Sequence, residues 1–181
     1  MSKVVFVTGN QYKADYFAKL AGVQVDHRAV EYHEIQSLDL KLVATEKAKA
    51  AYQALNKPVI IEDTALTIRS MGDLPGPLIK WFIEELGFEK LCRLADFDPD
   101  RSAVASSMYV CYDGKNLKYF SGELEGSIAD HPSGTSGFGW NRTFIPAGQG
   151  LTLGEMPDVM FQEYYLKVKP LDKIGEFIRS L

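Results

Sequence analysis

The sequence predicts an α/β fold, a long mixed β-sheet flanked by helices. The first half of the chain alternates apolar runs with helical-period segments in the order β-α-α-β-α. The second half opens with a meander, in which Ser102–Tyr112 and Leu117–Ile128 read as strands joined at Asp113-Gly114, a strong hairpin signal. Helices and strands interleaved in this way bury their apolar faces by layering helices on a sheet.

Taken in order, Val4–Val7 is an apolar strand, and Gln11–Leu20 is a helix with Tyr16, Phe17 and Leu20 on its apolar side. Asp39–Leu55 forms a longer helix, carried by Leu42, Val43, Ala50 and the alanine-rich "EKAKAAYQAL", and Asn56-Lys57-Pro58 stops it. "VIIEDT" is a short β-branched strand that ends in two carboxylates. Pro75–Pro77 punctuates a loop, after which Leu78–Leu86 resumes as helix. The segment from Asp130 to Pro146 is rich in Gly, Ser and aromatics and reads as loop with a short strand near Thr143–Ile145. Leu171–Leu181 closes the chain as an amphipathic helix. There is no internal repeat, low-complexity tract or linker, so residues 1–181 are read as one domain with room for two lobes.

Composition narrows the function classes. Hydrophobic residues make up 46% and charged residues 24%, ordinary globular values that exclude disorder. A net charge of -4 argues against non-specific nucleic-acid binding, which needs a basic face, yet permits a small anion held by a few local lysines. No apolar run approaches the roughly 20 residues of a membrane span. The expectation is a cytoplasmic protein without signal peptide, whose two cysteines, Cys92 and Cys111, are reduced thiols.

Several short stretches are able to carry chemistry. In "VVFVTGNQYK" a strand passes through a glycine turn into a helix N-terminus, where free N–H groups and the helix dipole suit phosphate. Thr8, Gly9 and Asn10 form that turn and Lys13 adds a cation; the competing reading makes Asn10 an N-cap and Lys13 a surface residue. Glu62 and Asp63 stand at the end of an apolar strand, where α/β sheets bind ligands, and a carboxylate there holds a divalent metal or orients water. Their side chains point to opposite faces of the strand. Glu34 is a second candidate metal carboxylate, indistinguishable by itself from a surface acid, while Lys47 and Lys80 lie within apolar helical faces from which a cleft is in reach, although most such lysines extend to solvent. In "SGFGWNRTFIP" the glycines around Phe138 give its ring access to a flat base, and the bland alternative is a hydrophobic latch. His27, His33 and His131 show no metal-ligand spacing.

Together, "FVTGNQYK", "VIIEDTAL", "MGDLPGPLIKWF", "SGFGWNRTFIP" and "GEMP", in that order, closely resemble the inosine triphosphate pyrophosphatase family, hydrolases that remove non-canonical purine nucleoside triphosphates. The resemblance runs from about Val4 to Pro157. It implies a two-lobed inosine-triphosphatase-like fold with a central cleft, commonly a homodimer. The implied reaction is Mg²⁺-dependent hydrolysis of ITP, dITP or XTP to monophosphate and pyrophosphate, with water attacking the α-phosphorus. By matching positions it implies Thr8, Gly9, Asn10 and Lys13 at the triphosphate, with Lys47 and Lys80 as further phosphate lysines. Phe138, Gly139, Trp140 and Asn141 fall at the base. Glu34 and Asp63 fall at the metal, and Asp63 and Lys13 are the catalytic pair.

The resemblance fails at the base end. Asn141 stands where the family usually has Asp, and "EMPDVMFQEYYLKVKP" places Phe161 at a family lysine and Tyr165-Leu166-Lys167 at its Ser-His-Arg. The expectation is therefore intact hydrolytic machinery with altered or relaxed base selection. The alternatives are a hydrolase of another modified nucleotide or nucleoside monophosphate, and a nucleotide-binding module without turnover.

Overall fold

The computed structural model describes residues 4–135 and 139–181. Its strands form one seven-stranded sheet in the order β2-β1-β3-β5-β6-β7, with β4 paired to β3 off that path. The strands are β1 (Val5–Val7), β2 (Asp26–Arg28), β3 (Val59–Ile68), β4 (Pro75–Gly76), β5 (Ser102–Tyr112), β6 (Leu117–Ile128) and β7 (Phe144–Pro146). The helices are α1 (Gln11–Ala21), α2 (Leu40–Leu55), α3 (Ile79–Arg93), α4 (Asp158–Val168) and α5 (Leu171–Ser180).

The chain divides into two compact units. The first holds the described residues up to Asp63, with Met108–Ser121 and Pro170–Leu181; the second holds Thr64–Ser107 and Gly122–Lys169.

In the first unit β1 pairs in parallel with β2 on one side and β3 on the other. The chain therefore leaves β1 through α1 toward β2, then returns through α2 to the far side of β1. Such a reversal opens a crevice at the carboxyl end of the strands, the place where open α/β sheets bind ligands. Side-chain alternation sorts the core accordingly. Val5, Val7, Val59 and Ile61 pack with Val110 and with Ala44, Ala48 and Ala51 of α2. The three alanines let α2 lie close to the sheet. Phe6 stacks instead on Phe17 of α1, with ring centroids 4.6 Å apart, and Tyr109 closes that layer at 6.0 Å.

Helix α1 starts at Asn10, whose side chain accepts from the Lys13 N–H, and ends at Gly22 in the left-handed conformation. The guanidinium of Arg179 on α5 then donates to the Ala21 and Gly22 carbonyls, satisfying acceptors that the helix end leaves open. Helix α2 starts one residue later than the sequence pattern suggests, because Asp39 caps it through the Leu42 N–H.

In the second unit, Leu66, Ile68, Leu91, Cys92, Ala103, Ala105, Ile128 and Phe144 are fully buried. Arg101 secures the layer by donating to the carbonyls of Cys92, Ile128 and Ala129.

Four features differ from the sequence expectation. Strand β3 does not end at its two carboxylates but continues to Ile68, since Ala65, Leu66 and Ile68 extend the buried apolar pattern beyond them. Helix α3 runs past Leu86 to Arg93, bending at Gly87 with φ 74° and ψ 171°, a conformation glycine adopts without strain. The Pro75–Pro77 loop contains the short β4, paired with Leu66 and Thr67. Strand β2 carries no period in sequence, being only Asp-His-Arg held by its register to β1, and helix α4 is not among the expected elements, although Phe161, Tyr164, Tyr165 and Val168 recur at helical spacing and are buried. The expected hairpin strands β5 and β6 are found at the expected residues.

Gly175 lies inside α5 where Ala would ordinarily be favoured by about 1 kcal/mol. A Cβ there would collide with the backbone carbonyl of Ala21. Gly175→Ala is therefore expected to destabilise the protein by about 1–3 kcal/mol, reversing the helix-propensity sign, as read from urea unfolding.

Candidate functional site

The crevice side of the first unit is built from four pieces of chain. Phe6 is in register with Ile60, and β1 ends at Val7 while β3 runs on, so Glu62 and Asp63 lie beyond the last β1 partner. The alternation that sends Val59 and Ile61 to α2 sends Asp63 the same way and Glu62 toward α1. The contacts follow. Asp63 Oδ2 is 2.9 Å from Lys47 Nζ on α2, and Glu62 Oε2 is 3.6 Å from Lys13 Nζ on α1. Glu34, in the loop before α2, brings its Oε2 to 3.2 Å from the same Lys47 Nζ.

Three carboxylates therefore meet two ammonium groups. Glu62 is almost sealed, with 4% of its side chain exposed, while Glu34 is 47% exposed. Burial lowers the pKa of Lys13, with Asp63 opposing that shift and Lys47 adding to it. Burial also works to lower Lys47, but its ion pairs and hydrogen bonds with Asp63 and Glu34 prevail, and its pKa lies above the usual value. Tyr32 packs on the α2 layer; burial raises its phenol pKa, opposed by Lys47 and reinforced by Glu34 and Asp63. It stays a protonated hydroxyl beside the cluster.

The turn ahead of α1 is locally self-supporting. Thr8 Oγ1 accepts from the Asn10 N–H at 3.1 Å, and Asn10 Oδ1 accepts from the Lys13 N–H at 3.1 Å. Asn10 is thus an N-cap, and its Nδ2 donors take no part in that bond. The first turn of α1 contains no acid, and Lys13 sits there at the positive end of the helix dipole. Gly9 is exposed, and a Cβ on it would meet only Ala29 at 3.9 Å, so packing does not demand a glycine.

The remaining candidates lie in the second unit. Lys80 opens α3, exposed, 3.8 Å from Glu84 and 5.2 Å from the Trp81 ring centroid. Gly139, Trp140 and Asn141 belong to a 3₁₀ turn, Gly139–Arg142, in which Gly139 has φ 62°. Trp140 is buried edge-on against Phe144 with centroids 5.6 Å apart. The turn is clamped to the chain around it: Ser133 N–H donates to the Arg142 carbonyl, Gly154 N–H to the Asn141 carbonyl and Thr135 N–H to the Gly154 carbonyl. Asn141 is 5% exposed, and its Nδ2 has no hydrogen-bond partner among the described residues. Phe138 lies outside the described residues.

Comparison with known proteins gives the lineage. The Ham1 family model matches residues 4–176. The chain belongs to the Ham1 family. A relative from Puccinia graminis f. sp. tritici, named inosine triphosphate pyrophosphatase, is 36% identical over 96% of this chain and 95% of its own. One from Methanopyrus kandleri, named dITP/XTP pyrophosphatase, is 30% identical over 98% and 97%. The solved structure of a HAM1 protein from Coxiella burnetii has the same fold, with a TM-score of 0.84 over the whole of both chains at 20% identity.

Helix α4 carries the positions that the sequence reading set against the family's base-end motif. Phe161 and Tyr165 are buried with centroids 5.6 Å apart, and Lys167 pairs with Glu163 at 2.8 Å. These positions pack and solvate a helix. Among the described residues no three His, Cys, Asp or Glu side chains are grouped so as to hold a metal alone. No helix of the described residues is long and apolar enough to cross a membrane.

Sequence reading passed over Glu62 as the partner of Lys13, and Tyr32. The two-residue strand period separates Glu62 from Asp63 but does not say which helix each one meets; Tyr32 left no signal.

Because the folded-state pKa of Lys47 is raised, the stability its pairs contribute is complete below the usual value of 10.5 and is lost as pH rises through the folded-state value. Lys47→Met should flatten the alkaline fall in urea midpoint as pH rises beyond the usual lysine value. An unchanged pH profile in that variant would show the pairs to be irrelevant to folding.

Proposed function

We propose that this chain hydrolyses non-canonical purine nucleoside triphosphates such as ITP, dITP and XTP. Water attacks the α-phosphorus, the α–β anhydride bond breaks, and monophosphate and pyrophosphate leave. The observation that carries this is the convergence of Glu34 and Asp63 on Lys47, with Lys13 in the acid-free first turn of α1. The inosine triphosphate and dITP/XTP pyrophosphatase names of its relatives support the same reaction.

Each group has a role in this reading. The backbone N–H groups at the start of α1, with Thr8 and Asn10, bind the triphosphate, and Gly9 lets it approach the turn closely. Lys13, Lys47 and Lys80 neutralise its oxygens. Asp63 orients the attacking water or takes its proton. Phe138 stacks on the base, with Gly139, Trp140 and Asn141 shaping its seat. Both units act as one pyrophosphatase domain.

Three carboxylates against two ammonium groups leave the first-unit cluster with a formal excess of one negative charge. A polyanionic substrate does not enter such a cluster without a further cation. Glu34 and Asp63 are two hard oxygen donors that already converge on a cation, Lys47 Nζ. That set fits Mg²⁺, which commonly takes one or two carboxylates and completes its shell with water and substrate phosphates. When bound there it would supply charge neutralisation on the phosphate oxygens. A cytoplasmic homodimer acting on free nucleotides, without a nucleic-acid partner, belongs to the same proposal and is supported by the family resemblance and the net charge of -4.

Phosphorus NMR of a nucleotide panel with Mg²⁺ tests the reaction, and pyrophosphate plus monophosphate is the expected outcome. Asp63→Asn should lower kcat by about 10²–10⁴ with unchanged circular dichroism. Full activity in that variant would remove Asp63 from its role.

Base selection is a separate expectation. Donors that would read a 6-keto edge are replaced at positions 161 and 165 by buried aromatics, and unmade hydrogen bonds are what discriminate strongly between bases. The ratio of kcat/KM for ITP over ATP should therefore be small, within about tenfold. A strong preference for ITP would show that other residues read the base.

A further inference from the structure

We propose that Glu62 is a positioning residue whose buried carboxylate holds the Lys13 ammonium at the phosphate site. The role rests on the pyrophosphatase reading and adds to it a residue that never touches the reacting atoms.

Glu62 shares its face of β3 with Ile60, over the aromatic layer of Phe6, Phe17 and Tyr109. An apolar side chain would suit that layer. A carboxylate with 4% exposure is costly to bury, and replacing a buried ion pair with apolar residues is often neutral or stabilising. Folding alone thus gives no reason for an acid at this position.

Lys13 supplies one. It stands in the first turn of α1, where the helix dipole repels a cation, and it feels the positive charge of Lys47 besides. A lysine so placed swings its flexible stem outward to solvent unless something retains it. Glu62 Oε2 lies 3.6 Å from its Nζ; Asp63 also attracts the Lys13 charge, but its Oδ2 makes its close contact with Lys47 Nζ at 2.9 Å. The two adjacent acids make their close contacts with different lysines because consecutive strand residues face opposite sides. The same alternation argues against Glu62 and Asp63 serving as a joint metal pair.

The test is a double-mutant cycle on kcat/KM for ITP measured across a Mg²⁺ titration, using Glu62→Gln, Lys13→Met and the two combined. Glu62→Gln should lower kcat/KM about tenfold in the wild-type background and less than about twofold in the Lys13→Met background. Glu62→Asp, which keeps the charge, should recover part of the loss, and it serves in the cycle if the glutamine variant folds poorly. An equal loss in both backgrounds, no loss at all, or recovery on raising Mg²⁺ would each overturn the role, the last by marking Glu62 as a metal ligand. A wild-type protein that releases no pyrophosphate from any nucleotide defeats the pyrophosphatase reading itself. Turnover unaffected by Glu62→Gln defeats only the positioning role.

Discussion

The first unit depends on one constraint, that β3 is covered from opposite faces by α1 and α2 and must present a different residue to each. Within the buried part of the strand this sends Val59 and Ile61 to the alanine face of α2. The same two-residue period carries on past the end of β1, where the residues become Glu62 and Asp63. Nothing new is needed to sort the two acids between two lysines. Lys13 and Lys47 sit on the helices that already occupy those faces, so packing low in the sheet determines pairing at its rim. A one-residue slip of β3 would exchange the partners and turn the apolar residues onto the wrong helices at once. The geometry of the ion pairs is thereby protected by the hydrophobic core.

The electrostatics of this rim explain why it is poor as a purely structural network. Lys13, beside the positive end of a helix, feels both Lys47 and its partner Asp63. The carboxylate partners of the two lysines are unequally buried, from 4% exposure at Glu62 to 47% at Glu34. A network serving stability alone would be better replaced by apolar contacts. One that must exchange partners, giving up carboxylate contacts for phosphate oxygens and a divalent cation, needs this mixture of sealed and open acids. Glu34, the most open member, is the one best placed to change partner, and Glu62 the least.

Much of this was legible in the sequence because it depends on short-range rules. The turn at Thr8-Gly9-Asn10, the cap of α1, the alanine stripe of α2 and the Asp113-Gly114 hairpin are all local. The lysines and acids that meet at the rim were singled out in the sequence through the order of their motifs, apart from the pairing of Glu62 with Lys13. What escaped was set by tertiary context. Strand β3 runs beyond its acids because burial continues beyond them, although two adjacent charges look like an end. Strand β2 exists only through its pairing to β1, and Asp-His-Arg has no strand pattern to show. Helix α3 survives a mid-helix glycine by bending at it. Glu62 was readable only once it was known which helix covers which face.

The two ends of the proposed ligand impose different demands, and the chain meets them with different parts of its structure. Phosphate is recognised by charge, backbone N–H groups and helix ends, none of which depends closely on side-chain shape. Such a site tolerates little change in charge, and the first unit retains Lys13, Lys47, Glu34 and Asp63 together. A base is recognised by the pattern of donors and acceptors along its edge, where one substitution alters selectivity and leaves the fold undisturbed. On α4 the residues that the resemblance would set at the base are part of the packing: Phe161 lies against Tyr165, and Lys167 pairs with Glu163. Once an aromatic ring fills the interior at such a position, restoring a polar group there would leave a cavity as well as add a hydrogen bond. Core packing therefore opposes polar substitution at these positions, which separates the two ends of the proposed site physically: the phosphate end would be held by charge pairing, and the base end would be coupled to the stability of α4.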